Sequence, residues 1–366
     1  MEKTITKPHY SKSGNEAIFQ QLRQDVNNLV QQLEPKRRGN IIIKAVLFPA
    51  LYIFIYCTIL VAGDHPAVFY SCYFLLGVSL VVIFLNLIHD AVHGTIFSTP
   101  WLNEIYVYLF DIIGANSYVW RLRHIRFHHN YPNVNGWDTD IEQSNLARIF
   151  PTGSALRIHR YQHIYLPLLY PLYLFNWLLV RDFKDFFNKK KTIWKLVTIP
   201  RIEYVKLFLF KLFFIFYLVV LPKMILEVTW WQVIGGFAVM LFTASVFSLM
   251  VLLSPHANTG SEFPLPNEEN KLPHSWMMHM LKTTNDVTHN NWFTRFFMGC
   301  FNFHVAHHLF PNVNHVYYPE VTGLLKAYAA THDLPYRQYS LATSLGMHYQ
   351  LLKQNGVTED IFEETM

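Results

Sequence analysis

Eight of the nineteen histidines in this chain fall into three tight clusters: His89-Asp-Ala-Val-His93, His124-Ile-Arg-Phe-His128-His129 and His304-Val-Ala-His307-His308. Neutral imidazole is the commonest protein metal ligand. Side chains three or four residues apart share one face of a helix. His89 can therefore meet His93, His124 can meet His128, and His304 can meet His307 or His308 at a common ion. An adjacent His-His step turns the second ring by roughly 100°, which suits two neighbouring ions better than one. At this histidine content a lone H-x3-H pair is expected roughly once by chance, but each three-histidine pattern only about 0.05 times. Eight imidazoles exceed what one ion binds, so the spacing predicts a dinuclear metal centre.

A further pair, Asn285-Asp-Val-Thr-His289, stands just ahead of the third cluster. If helical, it offers His289 as a ninth ligand and Asn285 as a holder of a metal-bound water. Asp90, Asp138 and Asp140 are expected to accept N–H groups from the ligating rings rather than to bind metal themselves; helical facing turns Asp90 away from His89 and His93. The residue types leave the metal open, because imidazole suits zinc, copper, iron and nickel alike, and the Glu-x-x-His ligand set of soluble di-iron bundles is missing. Taken one at a time, His159, His163, His256, His274, His279 and His315 read as hydrogen-bonded polar residues near the site; His9, His65, His332 and His348 read as surface residues.

The elements that must position these rings are long apolar runs. Hydrophobic residues make up 52% of the chain and charged residues only 15%, well below the charge of soluble domains. Ile41–Ala62, Ala67–Ile88, Leu207–Met224 and Val233–Leu253 each have about the 20 residues that cross a bilayer. The expected fold is all-α and membrane-integral, with four spanning helices in two hairpins and a cytoplasmic helical cap that holds the histidines. The corresponding division is a polar leader over 1–40, a first hairpin over 41–88, a segment with the first two clusters over 89–206, a second hairpin over 207–253, and a segment with the third cluster over 254–366. Asn15–Leu33 has helical spacing. Lys211, inside the third run, is expected to snorkel to the interface. Leu102–Tyr118, with Glu104 and Asp111, is expected to lie in the interface. Tyr161–Val180 has a spanning length, but a fifth crossing there would split the second and third clusters across the membrane.

Lysines and arginines, among them Lys36, Arg37, Arg38 and Lys189–Lys191, flank the clustered side, whereas the opposite loops carry only Lys223. The positive-inside rule therefore puts the clusters on the cytoplasmic face, with a bacterial inner membrane expected rather than the endoplasmic reticulum. The three cysteines give no disulfide framework and no zinc motif. A net charge of +5, not gathered into a footprint, argues against nucleic acid as a partner. No signal peptide is visible, so the first apolar run is expected to direct insertion. The clusters sit at span edges, not at mid-membrane as axial ligands of a haem would. Ionisable groups are nearly absent from the spans, which disfavours a metal transporter or sensor.

At the three clusters the chain resembles the membrane fatty acid desaturases, which carry boxes of the form H-x3-4-H, H-x2-3-HH and H/Q-x2-HH. The likeness runs from about Phe84 to Pro335 and includes Arg121-x-x-His124, Gly136-Trp-Asp-Thr-Asp140 and Asn302-Phe-His-Val-Ala-His-His-Leu-Phe-Pro311. The last segment is similar to the front-end and bacterial linoleoyl-CoA-desaturase-like branch, many of whose members have Gln where this chain has His304. The resemblance implies a non-haem centre of two iron ions that activates O2 and removes two hydrogens from adjacent methylenes of an acyl chain carried on CoA, a carrier protein or a glycerolipid. It also implies that Asn285 and His289 match the family's additional ligand element. No dinucleotide fingerprint and no cytochrome b5-like His-Pro-Gly-Gly occurs, so an external electron donor, ferredoxin or cytochrome b5 with its reductase, is expected. A lipid or alkane hydroxylase is the alternative reading of the same metal chemistry. The Lys189–Lys191 run reads as a headgroup or solvated segment ahead of a donor dock.

Overall fold

The computed structural model describes residues 7–12, 15–142 and 144–357. Helices dominate, and among the described residues the only paired strands are the two-residue segments Asp286–Val287 and Gln338–Tyr339. Among the described residues five helical runs are long and apolar enough to cross a membrane: Glu16–Ala62, Pro66–Val92, Arg157–Lys195, Arg201–Ile225 and Trp230–Leu252.

The first of these is one continuous helix of 47 residues, so the polar leader and the first apolar run are not separate elements. Pro35 and Pro49 lie within it; each removes one backbone hydrogen bond, which kinks a helix without ending it when neighbours hold both sides. At 1.5 Å per residue the helix is about 70 Å long, more than twice a hydrocarbon core of about 30 Å. Its amino-terminal half therefore projects beyond the apolar part and packs on the histidine-bearing segments. Leu22 and Val26 are buried, Phe19 lies 5.1 Å from Trp276 and 6.0 Å from Phe310 between ring centroids, and Arg37 pairs with Glu320.

The second and fifth runs pack closely because glycines let the backbones approach. A Cβ on Gly77 would lie 2.5 Å from the Met240 carbonyl, and one on Gly236 would lie 2.6 Å from the Phe69 ring. This is the small-residue device of membrane helix pairs. The third run is broken where Pro167 and Pro171 fall, with a 3-10 turn at Tyr170–Leu172. Pro100–Ile112 is helical but not among the five long apolar runs.

Lys211 does not snorkel. It is buried, and its ammonium donates to Asp182 Oδ2 at 2.7 Å, to the Leu178 carbonyl at 2.5 Å and to the Gly114 carbonyl. A carboxylate and two carbonyls in reach make an inward ion pair the alternative to stretching toward water. Lys44 is likewise buried, donating to Asn86 Oδ1 at 2.9 Å and the Arg295 carbonyl at 2.8 Å, and lying 2.8 Å from His315 Nε2.

Candidate metal centre

The clusters come together where helical geometry changes. Phe84–Ile88, which leads into His89, and Leu122–His128 are π-helical. A π turn closes i→i+5 bonds and is frequent at functional sites. Here the His129 amide donates to the His124 carbonyl at 2.9 Å. The widened turn puts His124 and His129 on the same side, while His128 points elsewhere. The expected pairing of His124 with His128 assumed an α-helical period, and the π turn replaces it. On the regular helix His304–Leu309, His304 and His308 stay together at i,i+4 and His307 turns away.

Two groups of rings result. His89, His93, His124, His129 and His307 form one, and His128, His256, His304 and His308 form the other; in each, the possible ligand atoms lie within 4.8 Å of one another. Nε2 of His124 lies 3.3 Å from that of His93 and 3.1 Å from that of His129. The groups adjoin, with His129 and His308 stacked at 4.7 Å between centroids.

Eight of the nine expected ligand histidines are thus gathered, and His289 is not. His289 is exposed, and its carbonyl accepts from Asn302 Nδ2 at 2.7 Å. The helix Trp276–Thr283 ends before Asn285, and Asp286–Val287 is extended, so the assumed i,i+4 register between Asn285 and His289 does not exist. Asn285 is fully buried, but its amide donates to the Ser254 carbonyl at 3.1 Å and accepts from Asn258 Nδ2 at 2.6 Å. The ninth ring is His256, in Ser254-Pro255-His256 just past the end of the fifth run. Its one sequence signal is that it leaves an apolar run at a span edge, as His89 does.

The outer nitrogens have acceptors of the kind that orient ligating imidazoles. His128 Nδ1 lies 3.0 Å from Asp138 Oδ1, His124 Nδ1 3.1 Å from Asp140 Oδ2, His256 Nδ1 3.1 Å from the Thr283 carbonyl, and His307 Nδ1 3.1 Å from the Tyr318 hydroxyl. Asp138 is itself held by the amides of Asn133, Asp140 and Ile141 at 2.8, 3.1 and 3.3 Å. Asp90 lies 3.5 Å from His89 Nδ1 and accepts from the His315 amide at 3.2 Å, with His315 Nδ1 at 2.7 Å.

Many inward nitrogens have no partner. Nε2 of His89, His256 and His307, Nδ1 of His129 and His304, and both nitrogens of His308 are buried without a hydrogen bond. A buried polar atom left unpaired costs about 1–3 kcal/mol, a cost that a cation facing these lone pairs would remove. Burial, aided by the neighbouring rings, holds His93, His129, His256, His304, His307 and His308 well below the usual imidazole range, and lowers His124 to about 4 despite Asp140. These rings stay neutral, as metal ligands must. His128 is the exception: burial pulls it down, but the charge and hydrogen bond of Asp138 raise it further. The residues therefore fit a pair of metal ions, one facing five rings and one facing four.

Against this centre lies a cavity of about 350 Å³. His89, His124, His128, His256 and His304 form part of its wall, and Trp120, Ile149, Leu166, Leu169, Tyr173, Trp177, Leu249, Leu253 and Phe301 make most of the rest apolar. Trp120 stacks on His124 at 5.0 Å.

A family model described as fatty acid desaturase matches residues 64–340. The chain is 28% identical over 96% of its length to an acyl-lipid (8-3)-desaturase of Physcomitrium patens, covering 74% of that protein. It is also 28% identical to an sn-1 linoleoyl-lipid 6-desaturase of Synechocystis sp., over 77% of this chain and 79% of that one. An acyl-lipid (8-3)-desaturase B of Dictyostelium discoideum is 29% identical over 83% of this chain and 67% of its own. With a family match that spans most of the sequence and a double cluster of buried imidazoles beside an apolar cavity, this chain belongs to the fatty acid desaturase family and is an oxidoreductase that introduces double bonds into fatty acyl chains.

Proposed function

We propose that the nine rings hold two iron ions, with O2 as co-substrate and an acyl lipid as the molecule desaturated. The observation that carries this reading is the split of nine imidazoles into five and four, six of them with a buried unpaired ring nitrogen and five of them on the wall of an apolar cavity. Removing hydrogen from an unactivated C–H bond needs a strong oxidant, which only a redox metal or cofactor supplies. Two irons held by these rings would supply that oxidant; overall, two hydrogens leave adjacent methylenes and, with two electrons and two protons from outside, O2 is reduced to two waters.

The chain's own residues do the positioning. The apolar wall from Leu166 to Trp177 confines the acyl chain so that one pair of methylenes lies against the rings, and such confinement governs which bond reacts. Asp138 and Asp140 fix the orientation of His128 and His124 through their Nδ1 atoms. Electrons come from an external donor of the ferredoxin or cytochrome b5 type.

Four crossings, rather than five, support this site. His128 and His308 belong to one group, so the chain between them crosses the membrane an even number of times. Arg201–Ile225 and Trp230–Leu252 supply two crossings. Arg157–Lys195 then lies at the surface, where its broken middle lines the cavity. The basic flanks support a cytoplasmic position for this surface.

Expression in a host, followed by mass spectrometry of derivatised fatty acids, tests the reading. A new double bond at one position and no new hydroxyl is expected; a hydroxylated chain in its place refutes desaturation in favour of oxygen insertion.

A further inference from the structure

Lys44 lies buried on the first helix, far in sequence from every histidine cluster. A buried ammonium has three N–H groups to place and accepts none. Those of Lys44 go to Asn86 Oδ1 at 2.9 Å, to the Arg295 carbonyl at 2.8 Å and to His315 Nε2 at 2.8 Å. None of these acceptors is a carboxylate, although a buried charge is costly without a counter-charge. The counter-charge stands one ring further on.

Because Lys44 only donates, His315 Nε2 must accept, and the proton of the neutral ring is on Nδ1. That Nδ1 lies 2.7 Å from Asp90 Oδ2, and the His315 amide donates to the same oxygen at 3.2 Å. Two donors from one residue thus fix the carboxylate. Its other oxygen, Oδ1, faces His89 Nδ1 at 3.5 Å. This contact favours the His89 tautomer protonated at Nδ1. The lone pair is then on Nε2, which is buried without a hydrogen-bond partner. His89 belongs to the five-ring group. Lys44, His315, Asp90 and His89 are each no more than 3% exposed, so bulk water does not substitute for any link.

We propose that Lys44 and His315 are positioning residues of the metal centre. The ammonium on the first span, acting through the His315 ring and Asp90, orients His89 with its Nε2 lone pair toward the ion. This inference rests on reading the five rings as ligands of an ion. It also gives the first helix a part in the site, to which it contributes no ring of its own.

Cobalt(II) titration of the full-length chain in detergent, stripped of metal by a chelator, tests the link. Cobalt absorption follows ligand number and geometry, so groups of five and four rings should fill as two separable phases. Losing an outer partner of a ligating histidine weakens metal binding by about ten- to a hundredfold. His315→Phe should therefore weaken one phase about tenfold and leave the other unchanged. His315→Asn should restore that phase, because its amide donates from the place of Nδ1. Lys44→Met should weaken the same phase, and the double variant K44M/H315F no more than H315F alone, since links of one chain are not additive. A role confined to helix packing would instead weaken both phases alike. Equal weakening of both phases, additive losses, or a phase that H315N does not restore overturns the inference. If K44M does not fold, H315F against H315N decides it alone. Wild type that takes up no cobalt refutes the metal reading itself, whereas two wild-type phases that no variant moves refute only the link.

Discussion

The sharpest test of the metal centre compares His256→Ala with His289→Ala. His256 is one of four rings in its group, while His289 is exposed and outside both. Losing even an outer partner of a ligating histidine typically costs ten- to a hundredfold in metal affinity. Losing the ring itself should exceed the upper figure, which is about 3 kcal/mol. Three imidazoles would remain at one position and all five at the other. Iron per purified chain, measured by plasma mass spectrometry after mild chelation, should fall from about two to about one in H256A, with desaturation abolished. The only hydrogen bond removed is that of Nδ1 to the Thr283 carbonyl, worth about 1 kcal/mol, so the fold should survive and a normal melting curve would show it. H289A should keep both irons and near-normal turnover. Full iron in H256A together with loss in H289A would refute the two-group assignment.

Three further outcomes follow from other parts of the structure. Asp138→Asn removes the carboxylate beside His128 Nδ1, and should lower iron retention against a chelator by roughly ten- to a hundredfold; unchanged retention would show that Asp138 does not support the ligand. Gly299 has φ +58° and would bring a Cβ within 2.5 Å of the Leu85 carbonyl, on the π turn that leads to His89, so Gly299→Ala should destabilise by about 1–3 kcal/mol or more, read as a lower melting temperature. Burial raises Asp286 from 3.8 to about 7 although Tyr336 and Val305 hydrogen-bond to it. Between these values the folded state binds more protons than the unfolded one, so stability falls as pH rises from about 4 to about 7. Melting of the wild type at pH 5.5 and pH 8 should show that fall, and D286N should flatten it; an identical slope in D286N would remove Asp286 as its source.

Eight of the nine rings were legible in the sequence because box spacing is local, and chemistry follows directly from residue type. The apolar runs were equally legible, since a bilayer demands length and hydropathy from each helix on its own. Which ring joins which group was not legible. The α-helical period pairs His124 with His128, whereas the π turn pairs His124 with His129, and no residue type signals a π turn. His256 looked like any polar residue at a span edge until folding carried the end of the fifth run against His128 and His304. Lys211 reads as a snorkelling residue only while Asp182, some thirty positions away, is out of view. Residue types and local spacing thus determined that this chain carries a histidine-rich centre beside long apolar runs and acts on acyl chains. The tertiary structure alone decided the partition of the rings, the place of His256 among them and the apolar cavity, because each depends on contacts between segments distant in the chain.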